Sequence, residues 1–303
     1  MKVFVTGGTG FVGSEVLRQL VAADHEIVAL VRSGSEGKLV KSDRISMHHG
    51  DVTDRDSLVE GAQQCEAIIH LVGIIRENPR RQLTFERLHV DATRNVIHAA
   101  TLAGDKRLIH MSANGARPDS NTAYHDTKWR GEELVRSSQL QWTIIRPSLI
   151  FGPGGEFVEM LADLIKRLPV VPVVGDGRYR MQPVAVEQVA ETFVKALTLD
   201  KTVGKSYVLG GSESYSYDEI LDLTGKALGQ EKVAKLHQPV MLVKPMVSML
   251  EGISKFPISS DQLEMLLEGN VCDQRPWSKE FAIDPISYAE GITTCFGSDG
   301  SSR

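Results

Sequence analysis

The sequence predicts an α/β protein built on a Rossmann-type doubly wound parallel sheet, with a smaller mixed C-terminal region as substrate or lid domain. Three observations lead there. Short apolar runs rich in β-branched residues alternate with segments of helical spacing through the first 150 residues. A glycine turn from Thr6 to Gly13 stands between the first strand and the first helix. After about Phe151 the alternation gives way to stretches crowded with glycine and proline, such as Gly152-Pro153-Gly154-Gly155.

Taken in order, Val3-Phe4-Val5 reads as a strand, and Val12, Val16 and Leu20, with Leu17 and Val21, mark one face of a helix. Ile27 to Val31 and Ile45 to His49 are strand-like, Arg55 to Gln63 is helical, and Ala67 to Val72 is a buried strand. Gln82 to Ala103 is predicted as one long helix ending at Gly104. Arg107 to Met111 is a strand, Thr122 to Ser137 a helix, and Trp142 to Arg146 a strand stopped by Pro147. Val186 to Thr198 and Tyr217 to Leu228 read as helices around a strand at Ser206 to Leu209. Gln238 to Gly269 is mostly helical, with breaks expected at Pro245 and Pro257. The expected organisation is a dinucleotide-binding domain over 1–150, to which about 180–200 returns. A substrate or lid region follows over 151–303, with 297–303 as a disordered tail.

Composition narrows the function classes. The chain has 303 residues, 42% hydrophobic and 24% charged, and a net charge of −5. A mildly acidic protein is not a dedicated nucleic-acid binder, because phosphate neutralisation needs a basic face. Cys65, Cys272 and Cys295 lie far apart and form neither a disulfide framework nor a zinc site. The histidines lack metal-ligand spacing, so no metal is expected. The N-terminus runs straight into the glycine turn, and no apolar run approaches the ~18 residues of a transmembrane helix. A cytoplasmic protein is expected, as a monomer or homodimer.

The turn reads Thr6-Gly7-Gly8-Thr9-Gly10-Phe11-Val12-Gly13. Between a strand and an amphipathic helix, such glycines allow a tight turn, close approach of backbone to a pyrophosphate, and close packing of helix on strand. The helix N-terminus then offers free N–H groups to the anion. The tip of the second strand discriminates between cofactors: an acid suits a free ribose 2′-hydroxyl, an arginine suits a 2′-phosphate. Here the strand ends Leu30-Val31-Arg32-Ser33 with no acid, so Arg32 and Ser33 point to NADP, with NADPH preferred over NADH. A merely solvated Arg32 is the competing reading.

Tyr124 and Lys128 are four apart and share a helix face. A lysine beside a phenol favours the phenolate, so the expected Tyr124 pKa is below its usual value of about 10. Ser112 follows the Arg107–Met111 strand at the carboxyl edge, where doubly wound sheets bind ligands, and could orient a substrate carbonyl. Ser112, Tyr124 and Lys128 are therefore the candidate catalytic residues.

Together these motifs resemble an extended, atypical short-chain dehydrogenase/reductase. More narrowly, the chain is similar to the group related to the accessory subunit of respiratory complex I that carries this fold. The residues that carry the resemblance are the Thr6–Gly13 turn, Gly50-Asp51-Val52, His70-Leu71-Val72-Gly73, His110-Met111-Ser112-Ala113, Tyr124 with Lys128, and Ile145 to Pro153. The resemblance implies that Asp51 and Val52 meet the adenine and that Leu71, Val72 and Gly73 line the cofactor. It also implies that the backbone of Pro147, Ser148, Leu149 and Ile150 lies by the nicotinamide. Asp51 has a competing reading as a helix cap. The chain departs from the pattern where the long helix usually carries an Asn and here reads Leu88-His89-Val90. His89 would then break or rewire the proton relay, or simply pack.

Two functions follow. The first is an NADP(H)-dependent oxidoreductase of a small apolar carbonyl or quinone-like substrate. Tyr124 would donate the proton, Lys128 would tune it and bind ribose, and Ser112 would position the oxygen. The second is a non-catalytic dinucleotide-binding accessory or assembly protein with a membrane-surface or respiratory-complex partner. A nucleotide-sugar epimerase or dehydratase is a weaker third. The methionine-rich segment from Pro239 to Leu250 separates the first two. A reductase should turn Met241, Met246 or Met249 into its pocket, which is the favoured expectation, whereas an accessory protein should expose them.

Overall fold

The computed structural model describes residues 1–104, 107–251 and 258–296. In chain order the first half runs β1 (Lys2–Thr6), α1 (Phe11–Ala22), β2 (Glu26–Val31), β3 (Ile45–His49), α2 (Arg55–Ala62), β4 (Ala67–His70), α3 (Ala92–Leu102), β5 (Arg107–Met111), α4 (Ala123–Arg136) and β6 (Gln141–Pro147). Then come β7 (Ile150–Phe151), α5 (Glu156–Arg167), β8 (Val171–Val174), β9 (Arg180–Met181), β10 (Val184–Ala185), α6 (Val186–Ala196) and β11 (Lys205–Leu209). The remainder is β12 (Tyr215–Ser216), α7 (Tyr217–Ala227), β13 (Lys235–Gln238), α8 (Val240–Leu250), α9 (Ser260–Glu268), α10 (Arg275–Phe281) and α11 (Tyr288–Gly291).

These elements form two compact units. The first comprises Met1–Pro147, Glu187–Leu209 and Arg275–Ile283. Its seven strands pair in the order β11-β6-β5-β4-β1-β2-β3, all parallel. The order reverses between β1 and β4, which is the switch point where doubly wound sheets open a crevice at their carboxyl edge. The central strands are buried on both sides, and alternation sends neighbouring residues to opposite faces. Phe4, Ile68, Leu108 and Ile144 pack with Leu58, Leu88, Val96 and Val135 from the helices on one face. Apart from the start of the helix expected over 82–103, the sequence-predicted strands and helices of this unit are present, with ends shifted by a few residues. The segment Arg275–Ile283 returns to this unit from far along the chain. It buries Trp277, whose Nε1–H donates to Thr192 Oγ1 (2.8 Å).

Two helix assignments need correction. The expected helix over 82–103 starts late: Asn78 and Leu83 form a bridge, Gln82 is left-handed (φ 56°), and Pro79–Arg81 is a single tight turn. Helical backbone begins only beyond this loop, and Glu86–Asp91 is a wide turn with π-helical hydrogen bonding that leads into α3. The second unit holds the other correction. The expected break at Pro245 is absent, because α8 continues through it. Pro245 is on the exposed side, while Val243 and Val247 on either side of it are anchored with Leu263. A proline there costs a helix bond without forcing the chain apart. The expected break at Pro257 and the tail at 297–303 lie outside the described residues.

The second unit comprises Ser148–Val186, Gly210–Gln274 and the chain from Asp284 onward. Its core gathers Val158, Leu161 and Ile165 of α5, Ile220 and Leu221 of α7, and Phe151 and Tyr288. The favoured expectation for the methionines fails here. Met241 is 86%, Met249 80% and Met246 45% exposed, and Leu242 is 72% exposed. Only Val243 and Val247 of α8 are fully buried, Val240 and Leu250 at its ends are half-buried, and the side chains between them face solvent. No helix among the described residues is long and apolar enough to cross a membrane.

Candidate active site

The site in the first unit is built at the carboxyl edge around the β1–β4 switch point. Gly7, at φ +82°, turns the chain out of β1. A Cβ on Gly7 would lie 3.1 Å from both the Leu71 carbonyl carbon and the Val72 nitrogen, so the turn packs directly on the exit of β4. A Cβ on Gly13 would lie 2.1 Å from the Gly7 oxygen, and one on Gly8 would meet Leu17 at 3.0 Å. Only glycine at position 13 lets α1 start this close to the turn. Gly10 precedes α1 with no side-chain cap, and the first turn, which includes Phe11 and Val12, holds no acid. Ser14 N–H, donating to the Gly10 oxygen (2.9 Å), is the first to bond into the helix. Such an uncapped helix end favours an anion. Thr9 and Gly10 lie at the mouth of this turn, Gly10 exposed.

Arg32 and Ser33 leave the end of β2 exposed, and among the described residues the Arg32 guanidinium has no hydrogen bond or ion pair. Asp51 follows β3. Its carboxylate accepts from Thr53 N–H (2.9 Å) and Thr53 Oγ1 (2.7 Å), whereas the cap of α2 is Asp54. Asp51 is thus not the cap of that helix. Asn95 donates to the Val52 carbonyl (3.1 Å) and accepts from Arg55 (3.0 Å). It holds the Asp51–Val52 turn in place. A buried amide two turns into a helix after β4 was the available signal.

Ser112 is 4% exposed, and among the described residues its Oγ has no hydrogen-bond partner. Thr122 caps α4 through His125 N–H (3.3 Å), which sets the phase that places Tyr124 and Lys128 on one face. Lys128 is 3% exposed and donates to the Met111 carbonyl (3.2 Å), the residue before Ser112. A Cβ on Gly73 would stand 2.7 Å from Lys128 Nζ, so the β4 exit loop lies against the ammonium. The sheet edge therefore brings together the turn, Leu71–Gly73, Ser112, Tyr124 and Lys128. Pro147 ends β6, and its carbonyl accepts from Asn114 N–H (2.8 Å). Ser148, Leu149 and Ile150 open the second unit: Ser148 Oγ donates to the Gln182 carbonyl, Leu149 accepts from Val184 N–H, and Ile150 pairs with Val184.

The electrostatics correct one expectation. The Tyr124 phenol is pushed up to about 12 by burial rather than down by Lys128. Lys128 is itself pulled down to about 8 by burial, against the opposing pull of Glu132. A half-hidden phenol loses water that would solvate its anion, and desolvation wins over a cation directed at a carbonyl. A high pKa suits a proton donor. Around Lys128, burial and the lysine's charge pull His70 down to about 3 and hold His89 and His110 well below their usual value. All three imidazoles are neutral at pH 7.

This geometry coincides with similarity to known proteins. Residues 3–210 match the model of the NAD dependent epimerase/dehydratase family. The chain belongs to that family. Its relatives include the NADH-ubiquinone oxidoreductase 40 kDa subunit of Neurospora crassa, 25% identical over 292 residues, 94% of this chain and 76% of that protein. Another is the ceramide reductase of Caulobacter vibrioides, 32% identical over 192 residues, 63% of this chain and 59% of that protein. In three dimensions the chain is similar to the UDP-glucuronic acid 4-epimerase of Bacillus cereus solved with UDP-glucuronic acid and NAD. The TM-score is 0.75 at 18% identity, covering 98% of each chain, a likeness of fold. The family binds nicotinamide dinucleotides, and the glycine turn, the uncapped α1 and the glycine against Lys128 fit such a cofactor.

Proposed function

We propose that this protein is an NADP(H)-dependent reductase of an apolar carbonyl or quinone-like substrate. The observation that carries the reading is the pairing of an unpartnered, buried Ser112 hydroxyl with a phenol held protonated on the same sheet edge. When bound, the dinucleotide supplies hydride. Thr6 to Gly13 would hold its pyrophosphate, Arg32 and Ser33 its 2′-phosphate, Asp51 and Val52 its adenine, and Leu71 to Gly73 the chain between. Ser112 Oγ donates to the substrate oxygen, and Tyr124 gives that oxygen its proton. Lys128 binds ribose and keeps a positive charge beside the phenol as it ionises. That one relative is named a ceramide reductase supports the direction of the reaction. The decisive assay is oxidation of NADPH against a panel of quinones and aldehydes.

Cofactor choice rests on Arg32. A 2′-phosphate would give this unpaired guanidinium charge-assisted bonds, whereas NADH leaves it in water. NADPH should bind more tightly than NADH by about 1–2 kcal/mol, and Arg32→Ala should close the gap with no change in melting temperature. Equal affinities in the wild-type protein, measured by fluorescence titration, would reassign the cofactor to NAD.

The exposed face of α8 favours a second reading, an accessory protein peripheral to a membrane or respiratory complex. Met241, Leu242 and Met249 are mostly exposed and Met246 nearly half exposed, and apolar side chains left together on a surface mark an interaction site. Residues 226–250 carry Lys226, Lys232, Lys235 and Lys244 against Glu231, although Lys235 pairs with Asp222 (2.6 Å) and Lys244 with Glu264. An apolar helix beside cations suits an anionic bilayer surface. The protein should sediment with vesicles containing phosphatidylglycerol, and the Met241→Ser, Met249→Ser double variant should stay in the supernatant. Wild-type protein that ignores the vesicles sinks the membrane reading and leaves a protein partner.

A further inference from the structure

His89 sits where three pieces of the site meet. It is 2% exposed and lies in the wide turn Glu86–Asp91. Its ring stacks on Phe85 (5.3 Å between centroids) and stands edge-on to Tyr124 (5.5 Å). Nδ1 is 2.9 Å from Thr127 Oγ1, and Nε2 is 3.1 Å from both the nitrogen and the oxygen of Ile74. Thr127 Oγ1 in turn donates to the Ala123 carbonyl (2.7 Å) in the first turn of α4. Neither tautomer satisfies all of these groups, since Nε2 either accepts from the Ile74 N–H or donates to the Ile74 carbonyl; an orphaned buried N–H is rarer than an under-satisfied carbonyl, which favours the proton on Nδ1. With the proton on Nδ1, Ile74 N–H donates to Nε2, Nδ1–H donates to Thr127 Oγ1, and the threonine donates to Ala123. The other tautomer leaves the Ile74 N–H unanswered and takes the threonine proton away from Ala123. A chain of bonds running one way polarises each successive link.

The backbone of His89 is held as firmly. Thr93 Oγ1 donates to the His89 carbonyl (2.7 Å) and is reached by His70 Nε2 (3.4 Å). The other nitrogen of His70 takes a bond from Thr6 Oγ1 (2.7 Å), at the start of the glycine turn. A Cβ on Gly131 would fall 2.8 Å from the His89 carbonyl, so only glycine lets α4 approach this turn. The wide turn is what aims the ring. Removing its extra residue would rotate the preceding residues by roughly 100° about the axis. Such turns inside helices occur often at functional sites.

We propose that His89 is a positioning residue: through its Nδ1–H tautomer it ties the Gly73–Ile74 loop, on the cofactor side, to the helix that carries Tyr124 and Lys128. This rests on the dinucleotide-binding reading but not on turnover. The two ring nitrogens have separate duties, Nε2 toward the loop and Nδ1 toward the helix. Groups facing the ring are Tyr124 and Lys128 from α4 and His70 from β4, and none is an anion that would stabilise an imidazolium.

Two measurements without turnover test this. Long-range ¹⁵N NMR of the wild-type protein should show His89, identified by its loss in a variant, as the neutral Nδ1–H tautomer from pH 8 down to pH 6. An Nε2–H tautomer, or protonation at pH 6, overturns the proposal. Glutamine places its amide near the Nε2 position and asparagine near Nδ1. In His89→Gln the NADPH dissociation constant should stay within about threefold of wild type, and in His89→Asn it should rise at least about tenfold, as when a supporting hydrogen bond is lost. Equal weakening in both, tracking a common loss of melting temperature, means a merely structural histidine. A wild-type protein that bound no NADPH would sink the dinucleotide reading, and the tautomer alone would then decide this one.

Discussion

Tyr124→Phe is expected to keep NADPH affinity unchanged and to lower turnover by about 10²- to 10⁴-fold, the usual worth of a positioned acid or base. The substitution removes one oxygen and keeps the ring against Phe85 and His89, so folding should be unaffected. The loss falls on the step in which the substrate oxygen takes its proton. Because burial holds the phenol near 12, the donor stays protonated across the working range. The pH profile of wild-type turnover should therefore break near 8, where Lys128 gives up its charge, and not near 10. The sign follows from the lysine: below about 8 it is cationic and supports the forming phenolate, and above it that support is gone. Steady-state rates of the variant and of the wild type between pH 6 and pH 10 check both statements. Turnover unchanged in the variant would remove the phenol from the mechanism.

Glu132→Ala is expected to destabilise the protein by about 3 kcal/mol, the lower end for removing one partner of a buried ion pair. Glu132 is fully buried on α4, one turn beyond Lys128. Its carboxylate accepts from Arg146 Nε (2.7 Å) and Nη2 and from Arg136 Nη2. Both guanidiniums lie over the Trp129 ring, at 4.7 Å for Arg136 and 5.7 Å for Arg146. Alanine would leave Arg146 beside an empty volume without its carboxylate, while Arg136 keeps Glu133 (2.6 Å). Each arginine keeps about a fifth to a quarter of its side chain exposed, at 19% and 26%, so water softens the loss. Lys128 also loses the carboxylate that supports its charge, so its pKa should fall further. Urea unfolding monitored by circular dichroism reads the first effect. Glu132→Gln should recover part of the stability through its hydrogen bonds but should not restore the lysine's charge.

The alternation of apolar strands and amphipathic helices was legible because each signal is local. β3 was located at Ile45–His49, and Thr122 was placed at the start of α4. Gly7, Gly10 and Gly13 were legible for a related reason: their role depends on a strand and a helix that adjoin them in sequence. What escaped depended on distant neighbours or competing signals. α5 carries a buried face of Val158, Leu161 and Ile165, but glycine and proline on both sides mask its helical period. The short strands β7, β9, β10 and β12 are two residues each and have no period to read. Asn95 looked unremarkable until α3 set it against Val52.

By itself the sequence determined the fold class, the place of the glycine turn, the arginine at the tip of β2, and the four-residue spacing of Tyr124 and Lys128. These follow from residue type and period, which the chain carries with it. Only the tertiary structure decided the charge states and the exposures. It raised the phenol of Tyr124 because burial outweighed the neighbouring cation, and it aimed the His89 ring by a wide turn no periodicity announces. It also turned the methionines of α8 outward, because Val243 and Val247 are the side chains that find partners. Solvation and pairing belong to three-dimensional neighbours, so a linear pattern can name the groups but not the energy of their surroundings.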